Sequence, residues 1–199
     1  MTRFFQEGNF NWHRLQEVPN ASFLCGYCTT TVSSNRGYVL AHGSDGSGQH
    51  IGHLRICPNC GGPVFFAPDG TRRPSPALGN AVAHVPSELD ALYNEARRCT
   101  AATSYTAAVL VCRKMLMNIA VTQGAAEGLK FIEYVNYLAE KGYVPPNGKH
   151  WVDHIRKKGN EATHEITLMT EADAKELLLF MEMLLRFVYE FPSMVPQPT

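Results

Sequence analysis

The chain has 199 residues, of which 45% are hydrophobic and 10% aromatic, and its 18 basic side chains are balanced by 18 acidic ones. That apolar share supports a packed core and excludes a disordered composition. Zero formal charge disfavours a strong non-specific nucleic-acid binder and leaves room only for a local basic patch.

The opening run Met1-Thr2-Arg3-Phe4-Phe5-Gln6-Glu7 turns polar too quickly for a secretory signal. The longest apolar run, Ala107 to Cys112, is six residues, whereas a membrane span needs about 20. The expectation is a cytoplasmic protein with no membrane segment. Phe4, Phe5, Phe10 and Trp12 precede the first cysteine. They are read as anchors that pack a front module onto a second one, with base stacking beside Arg3, His13 and Arg14 as the alternative.

Residues 23–67 contain short β-like pieces at 38–40, 54–56 and 64–66, with a glycine-rich excursion, Gly43-Ser44-Asp45-Gly46-Ser47-Gly48, between the first two. The excursion lacks the lysine and the length of a phosphate-binding loop. Around these pieces stand Cys25-Gly26-Tyr27-Cys28 and Cys57-Pro58-Asn59-Cys60-Gly61-Gly62. Each CxxC can turn two sulfurs inward, and two such knuckles supply the tetrahedral S4 set that Zn2+ takes in structural sites. Iron on the same four thiolates is the main alternative. Two redox-active pairs flanking β-like pieces make little chemical sense. Zinc ligands are therefore assigned to Cys25, Cys28, Cys57 and Cys60, as one structural ion that folds a segment too small to hold a core alone. His42, His50 and His53 are read as ordinary polar positions. Cys99 and Cys112, which lack a second ligand pair, are read as small buried hydrophobes.

Residues 1–75 carry six arginines, no lysine and four acids. Four thiolates and one Zn2+ would bring that part close to neutral. A nucleic-acid interface on the ribbon would need Arg36, Arg55, Arg72 and Arg73 on one continuous face.

Residues 68–86, with Pro68, Pro74, Pro76 and Pro86, read as an ordered extended linker. It separates an N-terminal segment and ribbon (1–67) from a helical part (87–199). Helices are predicted near 87–99, 102–123, 127–141, 147–163 and 171–190. Ser87 with Asp90, and Thr170 with Asp173, have capping spacing. The second helix aligns Tyr105, Ala108, Val109, Cys112, Leu116 and Ile119, and the last aligns Leu177, Leu178, Met181, Leu184, Leu185 and Val188. Such stripes bury against neighbouring helices. Phe191-Pro192 is expected to end the last helix.

Three runs carry a family resemblance: Ser104 to Lys114, Trp151 to Glu165, and Asp173 to Leu178 together with Phe187 to Pro192. In combination they resemble the DUF4145 family, whose members stand near the HEPN helical domains. The resemblance covers roughly residues 70–192. It implies a HEPN-like bundle of about five helices, commonly paired as a homodimer, sometimes behind a zinc ribbon and sometimes joined to phage-defence or restriction proteins. Many HEPN relatives are metal-independent ribonucleases with an arginine, a polar residue, three variable residues and a histidine. Asn160 and His164 match the last two marked positions, and Gly159 stands at the arginine's place. Arg156 shares the helix face of Asn160 and His164 through i, i+4 spacing. These three are the candidate catalytic residues, acting across a symmetric dimer. The alternative for them is a solvated face or helix-packing bonds.

The expected fold is thus a small β zinc ribbon followed by an all-α bundle. The expected function is an interaction or adaptor protein with a protein partner, and the resemblance implies a setting in phage defence or DNA restriction. A His164-dependent ribonuclease and a nucleic-acid-binding ribbon are the competing readings.

Overall fold

The computed structural model describes residues 12–41, 50–144 and 168–194. The predicted fourth helix, with Arg156, Asn160 and His164, lies outside the described residues, as do Phe4, Phe5, Phe10 and the 43–48 excursion. The chain divides into two units, Met1–Ala77 and Leu78–Thr199.

The first unit is a five-stranded antiparallel sheet in sequential order: β1 (Gln16–Leu24), β2 (Thr31–Ala41), β3 (His50–Ile56), β4 (Pro63–Phe66) and β5 (Arg72–Arg73). Three of these strands contain the β-like pieces of the sequence. β1 escaped prediction because Pro19-Asn20 breaks its pattern. The β1–β2 register shifts between Glu17 and Ala21, so the proline sits in a bulge on an edge strand, where no ladder bond is lost. β5 has two residues, too few for any alternation to show.

The apolar core of this unit is slight. Its buried cluster is Phe23, Val64 and the four cysteines of the two CxxC pairs, flanked by Val32 and Phe66. Phe66 meets Phe23 edge-on at 5.2 Å. Polar staples supplement it. The buried Arg55 donates to the carbonyls of Ser34 (3.0 Å) and Pro19, and its guanidinium lies over Phe66 at 5.2 Å. Burial pushes its pKa down, a cost that the carbonyls and the ring face offset. Trp12 donates to the Gly61 carbonyl at 2.8 Å and meets Tyr38 edge-on. Both of these Trp12 partners belong to the first unit.

The register also separates the arginines. Arg55 pairs with Gly37 and with Val64, and Arg72 with Phe66. Alternation along the strands puts Arg55 and Arg72 on one face and Arg36 and Arg73 on the other. Arg72 lies 6.0 Å from the Phe66 ring. The continuous basic face that a nucleic-acid interface would need is not formed by these four.

The second unit contains α1 (Ser87–Ala101), α2 (Tyr105–Thr122), α3 (Phe131–Glu140) and α4 (Glu171–Leu185). A π turn at Arg186–Glu190 and a short α5 (Phe191–Met194) continue α4. α2 packs against α1, α3 and α4. By length and composition alone it could cross a membrane. In the fold it buries Ala108, Val109, Cys112, Met115, Leu116, Ile119 and Ala120. Its Arg113 is buried too, with the guanidinium 4.1 Å from the Phe131 ring centre. Tyr93, Leu138, Leu178, Phe180, Met181, Leu184 and Leu185 complete a core several times the size of the sheet's.

Two helix ends differ from expectation. Pro86, not Ser87, occupies the N-cap of α1, with no side-chain cap bond. Its carbonyl accepts from Asp90 N at 2.9 Å, and proline has no N–H to leave unpaired in that turn. Pro192 does not end the last helix, which continues to Met194. The wider π turn before it relieves the clash between the ring and the preceding carbonyls. The Thr170–Asp173 box forms as read, with Thr170 N donating to Asp173 Oδ2 at 2.8 Å and Asp173 N to Thr170 Oγ1 at 3.3 Å.

The chain entering the bundle is pinned by polar bonds. Arg97 donates to the carbonyls of Leu78 (2.9 Å) and Gly79 (2.7 Å), and Glu182 accepts from Asn80 N (2.9 Å). Gly79 has φ +77°, and a Cβ there would lie 2.8 Å from Tyr93 Oη. Burial would raise the Glu182 pKa, but donation from Asn80 and Arg186 outweighs it, and the carboxyl is held below its ordinary value. Arg186 bridges Glu182 (3.0 Å) to Glu190 (2.7 Å).

Candidate functional site

The two CxxC segments fold into matched knuckles. In the first, Cys25 N donates to the Thr30 carbonyl (3.0 Å) and Thr29 N to the Cys25 carbonyl (2.9 Å). In the second, Cys57 N donates to the Gly62 carbonyl (2.9 Å) and Gly61 N to the Cys57 carbonyl (2.8 Å). The offsets are identical, so Thr29 and Gly61 occupy equivalent positions. Both have positive φ, 53° and 75°. Gly61 adopts this conformation freely. Thr29, β-branched, is held in it by the knuckle's bonds, and its hydroxyl donates to the Cys28 carbonyl at 2.8 Å.

The knuckles face each other and bring all four sulfurs together. Cys25, Cys28, Cys57 and Cys60 are buried, and their Sγ atoms lie within 4.8 Å of one another. Cys25 to Cys60 and Cys28 to Cys57 are each 3.8 Å. A disulfide is about 2.05 Å. Four sulfurs placed ~2.3 Å from one ion at tetrahedral angles are separated by roughly 3.8 Å. The donor set therefore fits a metal ion of that size.

Burial and hydrogen bonding act on these thiols in opposite directions. Burial pushes the Cys25 and Cys60 thiols up. At Cys28 burial acts the same way but is outweighed by hydrogen bonds from Asn59 and Thr30, which bring that thiol to about 6. Four thiolates this close repel one another in a low-dielectric setting, and a divalent cation removes that repulsion. With all four positions filled by sulfur, no coordination site remains for substrate.

The third residue of each CxxC reaches across to the opposite knuckle. Tyr27 lies over Gly62, where a Cβ would come within 2.5 Å of the ring. Asn59 occupies the matching place over the first knuckle, and its Nδ2 donates to Cys28 Sγ (3.4 Å) and Thr30 Oγ1 (3.2 Å). Gly26 is closely covered as well, since a Cβ there would lie 2.3 Å from the Pro74 carbonyl oxygen. These roles went unread in the sequence. Aligning Cys25-Gly26-Tyr27-Cys28-Thr29-Thr30 with Cys57-Pro58-Asn59-Cys60-Gly61-Gly62 shows that Tyr27 and Asn59 are equivalent, but not what they contact.

The other sequence candidates are placed as follows. His53 lies half-buried in β3, outside the sulfur cluster. His42, Arg156, Asn160 and His164 lie outside the described residues. Cys112 is fully buried, and burial pushes its thiol to about 12, as befits a small core residue. Cys99 is half-buried. Among the described residues no second His, Cys, Asp and Glu group stands ready for a metal.

The second unit offers a groove of about 380 Å³ along its last helix, lined by Leu179, Met183, Phe187 and Phe191 together with the polar Asn80, Glu182 and Arg186. Leu179, Phe187 and Phe191 are exposed at 44%, 41% and 42%, and Met194 at 65%. Residues 179, 183, 187 and 191 form an i, i+4 row. In an α-helix such a row drifts around the axis by roughly 40° per step. The π turn at 186–190 holds more residues per turn and swings the row back, so all four apolar side chains share one groove. The buried stripe of this helix was legible in the sequence. The apolar row on its outer side was passed over.

A family model described as "Domain of unknown function (DUF4145)" matches residues 94–196. Comparison with curated proteins and with solved structures gives no match.

Proposed function

The chain belongs to the DUF4145 family, and on that premise we propose that it is an interaction or adaptor protein: a zinc-stapled sheet joined to a helical bundle that docks a protein partner. The observation that carries this reading is the apolar row Leu179–Met183–Phe187–Phe191 on the last helix, in which Leu179, Phe187 and Phe191 are exposed and Met183 half-buried. An outward row of this kind on a helix whose other side already fills the core marks a surface that is covered in use. A second copy of the chain is one such partner, as the family resemblance implies, and phage defence or restriction is the setting it suggests.

In the sheet, Cys25, Cys28, Cys57 and Cys60 would hold one Zn2+. When bound, the ion supplies charge neutralisation and cross-linking. The closed sulfur shell assigns it a structural role.

The test is the pair Leu179→Ser and Phe187→Ser. Both are exposed, so the bundle should keep its helical spectrum and unfolding temperature within a few degrees. Sedimentation and affinity capture should then show loss of the self-association or partner that the wild-type chain retains. A wild-type chain that is strictly monomeric and retains no partner, while cleaving RNA in a manner abolished by His164→Ala, would replace this reading with the ribonuclease one.

A further inference from the structure

We infer that Asn59 is a positioning residue for the metal: it ties the two knuckles together and lends the Cys28 sulfur a hydrogen bond that strengthens its hold on the ion. The inference rests on the reading of the four cysteines as one metal site.

The sulfur environments are not equivalent. Cys25 Sγ accepts from Tyr27 N at 3.4 Å and Cys60 Sγ from Gly62 N at 3.4 Å. Both donors are backbone groups of the sulfur's own knuckle and exist whatever side chains stand there. Cys28 Sγ also accepts from a side chain of the opposite knuckle, Asn59 Nδ2 at 3.4 Å. The same nitrogen donates to Thr30 Oγ1 at 3.2 Å, which fixes the amide plane and aims its second N–H. A thiolate that accepts an N–H bond carries less charge on sulfur, so four of them crowd one ion with less mutual repulsion.

The matching position of the first knuckle makes the contrast. Tyr27 crosses over in the same sense but presents a ring face to Gly62. One strap is a packing contact and the other a hydrogen bond to a ligand atom. Tyr27 seals the cluster on one side, and Asn59 tunes it on the other. Loss of an outer-shell partner of this kind typically lowers metal affinity by about 10–100-fold.

The experiment uses the full chain loaded with Zn2+ or with Co2+, as wild type, Asn59→Ala and Asn59→Asp. Zinc affinity is read by chelator competition. The cobalt form reports the site by its thiolate-to-metal charge-transfer and d–d bands. The expected result is about 10-fold weaker zinc binding in Asn59→Ala, and a larger loss in Asn59→Asp, which replaces the donor by a negative charge. The tetrahedral d–d bands should persist, and the charge-transfer band should move to lower energy because the sulfur is more electron-rich. A second readout needs no variant. In wild-type chain loaded with 113Cd, the Asn59 amide protons should show scalar coupling to the metal through Cys28 Sγ.

Equal affinities and unshifted charge-transfer bands, or no Asn59 coupling in the cadmium form, would overturn the role of Asn59 while leaving the metal site standing. Wild-type chain that takes up neither zinc nor cobalt at one ion per chain would overturn both.

Discussion

The two units of this chain solve the same problem with different means. The bundle buries a continuous apolar core built on α2, with Tyr93, Met115, Leu116, Phe180 and Leu184 fully enclosed. The sheet's buried cluster holds six residues, and four of them are cysteines. Full burial of a large apolar side chain contributes ~1.5–3 kcal/mol, so Phe23 and Val64, with Val18 and Ile56 buried outside the cluster, are too few to order a five-stranded sheet unaided. A metal tie across residues 25 to 60 can, because structural zinc sites contribute on the order of 10 kcal/mol to folding. Stability in one unit is spread over many contacts; in the other, on the proposed reading, it would rest on that single tie.

The largest expected effect separates the units outright. Stripping the metal with a strong chelator should unfold the strands of residues 16–73 and leave the helices of residues 87–140 and 171–194 intact. Amide spectra recorded before and after removal check this. Retained dispersion of the strand signals, with metal loss verified by elemental analysis, would break the contrast.

Next in size is the reverse experiment. Leu178→Ala opens a cavity in the bundle and should cost about 2–5 kcal/mol there, seen as a lower denaturation midpoint of the helical signal. Zinc affinity should not change. Coupled loss of metal would show that the units are one cooperative structure.

How much of this contrast could be read from the sequence depended on which interactions announce themselves. Four cysteines in two CxxC pairs specify a site because metal ligation needs particular atoms at particular spacings. The buried helix stripes were equally legible, since Leu177, Leu178, Met181 and Leu184 follow the α period. β1 was hidden because Pro19 and Asn20 look like a turn until a bulge accommodates them. The π turn at Arg186–Glu190 was hidden because no local residue preference marks it. The role of Asn59 is not legible locally, since its partners, Cys28 and Thr30, lie about 30 positions away.

A smaller effect probes electrostatics in the bundle. Glu182 has a folded pKa below its unfolded value, so its contribution is fully present above the ordinary glutamate range of ~4.3 and is lost as pH falls through the folded value. Acid titration of the helical signal should show this loss below about pH 4.3. Glu182→Gln should flatten that limb and lower stability at neutral pH, where Asn80 and Arg186 lose a charged acceptor. An unchanged acid limb in the variant would assign it to other carboxyls. Smallest is Thr170→Ala at the N-cap of α4, with about 1 kcal/mol lost from the bundle and nothing from the sheet, measured by denaturant unfolding.

The most direct measurement is X-ray absorption at the metal edge of chain purified without added metal, with metal content determined on the same sample. One zinc per chain, surrounded by four sulfurs at ~2.3 Å and no nitrogen or oxygen, is the expected result. Metal-free chain with an intact sheet, or an ion bound through a mixed shell with fewer than four sulfurs, would contradict the convergence of Cys25, Cys28, Cys57 and Cys60 on a single ion.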